Sequence, residues 1–176
     1  MSTERVEVLE LAGPDLATFV ADHYDRLLRL ARLICRDGPD AADAVQIALE
    51  QAWRRRTTLR DDGRVRPWLD RIVVREAVRV ARARRSWLGR FLSQAAGVAW
   101  TEPAHHPVDS LSDVGALGTA FRHLSAEQRA VVALHLYLGY SVDETADLVA
   151  APAETVRSRL RLAKERLRRE LGERDQ

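Results

Sequence analysis

Cysteine is almost missing from this chain. A single thiol, Cys35, stands in 176 residues, which excludes an internal disulfide and makes the cytosol the natural compartment. A small core residue is its expected role. Lysine is as scarce, since all but one of the 28 basic residues are arginine; that bias suits bidentate phosphate and guanine contacts and equally suits a GC-rich genome. No apolar run approaches the roughly 18 residues of a spanning helix. The N-terminal stretch carries Glu4, Glu7, Glu10 and Asp15 where a secretory leader would be basic and apolar. Strand-like alternation is lacking, as is any internal repeat. His23, His105, His106, His123 and His135 have no Cys or acidic partners at metal-ligand spacing. A glycine-rich phosphate loop and a Gly-x-Ser-x-Gly elbow are both missing. A non-enzymatic role without metal or cofactor is therefore expected.

What is present is helical periodicity and a sharply blocked charge. Hydrophobic residues make up 46% of the chain and charged residues 31%, enough for real cores in a soluble protein. The net charge of +2 is assembled from blocks of −5 over residues 1–50, +9 over 51–90, −5 over 91–150 and +3 over 151–176. Two basic blocks between acidic ones predict two separate polyanion-facing surfaces.

The apolar spacing predicts an all-α chain in two small modules. Leu16, Phe19, Val20, His23, Tyr24, Leu27, Leu30, Ala31 and Ile34 mark a first helix ending near Asp37-Gly38-Pro39. Asp40 can cap a second, with Ala41, Ala44, Val45, Ala48, Leu49 and Ala52 buried. A charged loop from Thr57 to Pro67 overlaps the start of a third helix near Val65. Its inward face is Val65, Trp68, Leu69, Ile72, Val73, Ala77 and Val80. Residues 1–14 read as a lead, 15–85 as the first module, 86–112 as a flexible linker and 113–173 as the second module.

The second module carries the most informative stretch. Ser141 and Glu144 form a capping box, Ala150-Ala151-Pro152 make a break, and Pro152 suits an early position of the next helix. Val156, Leu160, Ala163, Leu167 and Leu171 then draw one apolar stripe, with Arg157, Arg161, Lys164 and Arg168 in a second. This pattern predicts a helix-turn-helix whose second helix enters the DNA major groove. Upstream, Ser125 and Gln128 make another capping box, and Gly139 is a natural left-handed stop.

The first basic block is more than a charge excess. Arg71, Arg75, Arg79 and Arg82 recur at helical spacing on an arc away from the apolar face. They form a guanidinium ladder about 16 Å long that matches a run of phosphates. The preceding segment adds Arg54, Arg55, Arg56, Arg60, Arg64 and Arg66. By contrast, Asp40, Asp43, Gln46 and Glu50 draw an acidic and amide stripe on the second helix, which suits a basic protein partner or a plain solvated face.

In this order the pieces resemble a bacterial RNA polymerase sigma factor of the sigma-70 family, extracytoplasmic-function (ECF) group. The segment from Asp40 to Trp53 looks like the family's region 2.2, and Pro67-Trp68-Leu69-Asp70-Arg71-Ile72 resembles the start of its promoter-melting helix. Leu124–Val131 and Thr155–Leu160 resemble the two halves of region 4. The resemblance implies binding to core RNA polymerase through its clamp coiled coil and flap, with Asp43, Gln46 and Glu50 on the clamp. It places Arg60, Arg64, Arg66, Arg71, Arg75, Arg79 and Arg82 at the −10 element. Thr155, Arg157, Ser158, Arg161 and Lys164 fall at the −35 element, where arginine can pair bidentately with guanine. An anti-sigma factor is a further implied partner. Trp68 is expected as a core anchor. Trp87, Phe91 and Trp100 could pack on polymerase, an anti-sigma factor or the chain's own modules. Arg75 stands where the family usually has asparagine, Leu162 where a basic residue often follows, and Ala150-Ala151 where Leu-Gly is common. A stand-alone helix-turn-helix regulator and a sigma-like decoy are the alternative readings.

Overall fold

The computed structural model describes residues 16–58, 65–94 and 115–172. Among these residues every regular element is helical. The first module is a three-helix bundle of α1 (Leu16–Cys35), α2 (Gly38–Arg55) and α3 (Val65–Gln94), each packed on the other two. Its core is set by the helical stripes: Leu27, Leu30, Ala31 and Ile34 of α1 meet Ala41, Ala44, Val45 and Ala48 of α2 and Leu69, Ile72, Val73 and Ala77 of α3. The alanines keep α2 close to its neighbours, and Trp68 packs partly buried against this core. Cys35 is buried with its thiol on the Ala77 carbonyl at 3.4 Å. Burial pushes that thiol up to about 12.

Three details differ from the sequence reading. The α2 cap is Asp37, whose carboxylate accepts the Asp40 N–H; Pro39 then sits in the first turn, where its missing donor is harmless. Asp40 is left to pair with Arg84, together with Asp37. Helix α3 does not stop at residue 85 but runs to Gln94, with Gly89 inside it. Pro152 precedes the next helix, and its carbonyl accepts the Val156 N–H at 3.1 Å.

The second module comprises α4 (Gly115–Arg122), α5 (Ala126–Val132), α6 (Val142–Val149) and α7 (Ala153–Gly172). Both capping boxes form as expected, Ser125 with Gln128 and Ser141 with Glu144. Helix α5 widens into a π-helical turn over Ala133–Tyr137 and ends at Gly139, whose φ of 78° is left-handed. Leu124, Val131, Val132, Ala146, Val156, Leu160 and Ala163 make this module's own core.

The two modules are not separate bodies. Ala130, Ala133, Leu134 and Leu148 belong to the same apolar cluster as the α1–α3 core, and α5 and α6 lie against α1 and α3. The segment between them, residues 95–114, including Trp100, lies outside the described residues.

Candidate nucleic-acid and polymerase interfaces

The helix-turn-helix is built by local chemistry. Ser141 and Glu144 fix the start of α6, and the Glu144 carboxyl is held below the usual range by its bonds to the Ser141 backbone and side chain. Ala150 closes α6 in the left-handed region at φ 51°, a conformation that costs an L-residue roughly 1–2 kcal/mol. The turn returns α7 with Val156, Leu160 and Ala163 buried. That fixes the opposite face of α7 outward. Arg157, Arg161 and Lys164 are all exposed, whereas Thr155 and Ser158 are half-buried at its N-terminal end. Ser158 donates its hydroxyl to the Thr155 carbonyl at 3.0 Å. Arg157 pairs with Glu154 at 3.2 Å and Arg161 with Glu165 at 2.9 Å. Exposed pairs of this kind contribute about 0–1 kcal/mol and release readily to a phosphate or base. Leu162 is exposed on the same helix.

The ladder on α3 also projects outward. Arg71, Arg75, Arg79 and Arg82 are all exposed, as the period predicted, while Val74 and Glu76 on the flanking arc are buried. Their partners divide them. Arg79 bonds Glu76 at 2.6 Å, and Glu76 also accepts from Gln51 at 2.8 Å. Arg82 pairs with Glu127 of the second module. Burial raises the Glu127 carboxyl, and the backbone N–H and Arg82 bonds outweigh it, so it lies below the usual range. Arg71 and Arg75 flank a groove with Arg55, Trp68 and Gln51. Partial burial, then the charges of Arg71 and Arg55, pull the Arg75 guanidinium down. A like-charged group under strain of this kind is relieved by an anion.

Arg66 is exposed and approaches His23 Nε2 at 3.4 Å. His23 donates from Nδ1 to the Phe19 carbonyl at 2.9 Å, which leaves Nε2 as the acceptor. Arg60 and Arg64 lie outside the described residues. Asp43, Gln46 and Glu50 share the exposed face of α2, where Gln46 bonds Glu50 at 3.2 Å. Trp53, one turn on, is exposed with the Arg56 guanidinium over its ring at 4.5 Å. No group of three or more potential metal ligands occurs among the described residues. No helix there is long and apolar enough to cross a membrane.

Three polar residues that join the modules, Asp70, Tyr140 and Arg129, and the Arg26 that pairs with Asp70, were not placed by periodicity. Asp70 is fully buried and bidentate with Arg26 at 3.0 and 2.6 Å, and Tyr140 donates to it at 2.8 Å. Arg129, also buried, donates to the Ile34 carbonyl at the end of α1 and to the Leu124 carbonyl, at 2.7 and 2.6 Å. Burial, then the charge of Arg36, pulls the Arg129 guanidinium down to about 10. The C-terminal dipole of α1 favours a cation at that place. The available signal was an acid or arginine on an otherwise apolar arc, and it did not say what partner would meet it.

Comparison with known proteins matches the chain to a family. The Sigma-70 region 2 family model matches residues 19–87, and the Sigma-70, region 4 model matches residues 115–167. The ECF RNA polymerase sigma factor SigM of Mycobacterium tuberculosis (strain H37Rv) is 37% identical over 153 residues, covering 85% of this chain and 74% of that protein. The RNA polymerase sigma-E factor of Streptomyces coelicolor is 32% identical over 158 residues, covering 89% and 86%. Among solved structures, the sigma factor RpoE of Bartonella quintana, in complex with the anti-sigma factor NepR, superposes with a TM-score of 0.68 at 25% identity. That superposition covers 90% of this chain and 97% of that one. With two exposed basic faces, an acidic helix and both sigma regions in order, the chain belongs to the ECF group of sigma-70-family RNA polymerase sigma factors.

Proposed function

We propose that this sigma factor divides promoter recognition between its two basic faces and meets core RNA polymerase through α2. Asp43, Gln46 and Glu50 would dock on the basic side of the polymerase clamp, with the flap engaging the second module. Arg71 and Arg75, with Arg66, Arg79, Arg82 and the adjoining Arg60 and Arg64, would grip the backbone of the opened −10 strand. Arg157, Arg161 and Lys164, with Thr155 and Ser158, would enter the −35 major groove. The role is non-enzymatic and cytoplasmic. An anti-sigma factor is a fitting partner, as the superposed RpoE was captured with one.

The observation that carries this reading is the simultaneous exposure of the α3 ladder and of the outer α7 face. A stand-alone repressor needs only the second of these. Run-off transcription with core polymerase and genomic fragments tests it. Initiation at a subset of promoters is expected, lost on Arg71→Ala with Arg75→Ala. Polymerase binding without any transcript would favour the decoy, and DNA binding without polymerase binding would favour the repressor.

A further inference from the structure

Leu162 is the one large hydrophobic side chain of α7 that stands exposed among the described residues, at 45%. Single exposed leucines are common on protein surfaces, so its place on the helix has to decide what it does. At 3.6 residues per turn, Thr155, Ser158 and Leu162 fall on one line, within an arc of about 60°. None of the three is charged. Their line faces away from Val156, Leu160 and Ala163, which are buried.

Cations stand on both sides of that line. Arg161 and Lys164, both exposed, border it on one side. Arg159 and Arg166 border it on the other, and Arg166 donates to the His123 carbonyl at 2.9 Å. Two turns beyond Leu162, Arg169 takes the same place on the circumference, so the uncharged line is about 10 Å long. A helix lying in the major groove has a sugar-phosphate backbone on each side and base edges beneath it. Charged flanks with an uncharged line between them match that cross-section.

Contacts to phosphates orient such a helix and carry no sequence information directly. Reading bases therefore falls to Arg157 and to the uncharged line. Ser158 already gives its hydroxyl proton to the Thr155 carbonyl at 3.0 Å, which leaves that oxygen to accept. Leucine can neither donate nor accept. The only apolar group on the floor of the major groove is the C5-methyl of thymine, since the other bases present donors and acceptors there. Any of those polar edges would lose water against Leu162 and gain no partner.

We infer that Leu162 is a specificity-determining residue, selecting a thymine in the −35 element by packing on its C5-methyl group. This rests on the −35 reading of α7 given above and adds a base and a chemical group to it.

The test uses the full chain with core polymerase and duplexes randomised over the −35 segment, with core polymerase alone as the baseline. Enriched duplexes should share at least one fixed T·A pair, and Leu162→Ala should relax the preference at that pair. The substitution is on the surface and should leave the fold intact, which circular dichroism checks. Deoxyuridine then replaces each thymine of the enriched sequence in turn, deleting the methyl and keeping every hydrogen-bonding group. In competition binding the wild-type chain should lose about fourfold at one position, the worth of one buried methyl group. Leu162→Ala should bind the thymine and uracil duplexes equally, and Leu162→Met should keep the discrimination. The inference is overturned if no thymine shows a uracil effect, or if Leu162→Ala leaves that effect unchanged. Equal weakening of both duplexes by Leu162→Ala would place the leucine against protein and overturns it too. Enrichment of no sequence over the baseline rejects the −35 reading along with the inference, whereas enrichment without a uracil effect rejects the inference alone.

Discussion

Tyr140 donates its hydroxyl to Asp70 at 2.8 Å across the boundary between the two modules, and this bond ties the helix-turn-helix to the signature helix of the first module. Burial, then the charge of Asp70, pushes the Tyr140 phenol well above its ordinary range. Arg26 already holds both oxygens of the same carboxylate. Asp70 therefore has one partner inside its own module and one outside it.

The two partners should differ in what their loss costs. Arg26→Ala leaves a buried carboxylate without its cation and should destabilise by about 3–5 kcal/mol. Tyr140→Phe removes one bond to a carboxylate that Arg26 still satisfies, and should cost about 1.5 kcal/mol. Urea denaturation of both variants checks the ranking. Equal losses would mean that Arg26 does not compensate Asp70.

On α7, Arg157→Ala should weaken −35-dependent initiation by roughly 1–3 kcal/mol and relax the preference at one base pair. Lys164→Ala should instead weaken DNA binding evenly across sequences and lower the salt slope by about 1. Promoter-library transcription separates the two. An unchanged promoter profile for Arg157→Ala would sink its assignment to base reading.

Arg71 and Arg75 have no carboxylate partner among the described residues, so a phosphate displaces no ion pair there. Replacing both with alanine should reduce the salt slope for single-stranded DNA by about 1.4, at about 0.7 per phosphate contact. Arg79→Ala should change it less, since Glu76 competes for Arg79 at 2.6 Å. A larger effect at Arg79 would invert the order proposed for the ladder.

Cys35 should be inert in the native protein. Its thiol is buried and raised from 9.0 to about 12, so the reactive thiolate is suppressed at neutral pH. A folded value above the unfolded one favours the neutral form. That contribution is present in full below pH 9 and is lost as pH climbs towards 12. Ellman's reagent at pH 8 should label Cys35 only after denaturant is added, and stability should decline above pH 9. Prompt labelling of the native chain would contradict the burial.

Much of this fold could be read from the chain alone. The stripe of α2, the half of the α1 stripe from Leu27 to Ile34, and Val156, Leu160 and Ala163 of α7 bury as their spacing demands, whereas Tyr24 of the expected α1 stripe is exposed. Both capping boxes, the Gly139 stop and the outward ladder follow from rules that act within one turn of helix. The misses were of two kinds. The α2 cap moved from Asp40 to Asp37 and α3 ran on to Gln94, because boundaries depend on a few tenths of a kcal/mol per residue. The role of Asp70 was missed for a different reason, since its spacing marks a polar residue on α3 and nothing more.

The sequence by itself determined the helices, their outward charges and the family, since these rest on neighbours three and four residues apart and on motifs that survive in order. Only the tertiary structure decided that the two modules share a core. It joined Arg129 to Ile34, Glu127 to Arg82 and Tyr140 to Asp70, pairs separated by 95, 45 and 70 positions. No periodicity carries information over such distances. Arg129 and Asp70 are buried groups left unsatisfied when the apolar faces meet, and Arg82 and Glu127 pair at the exposed rim of that contact.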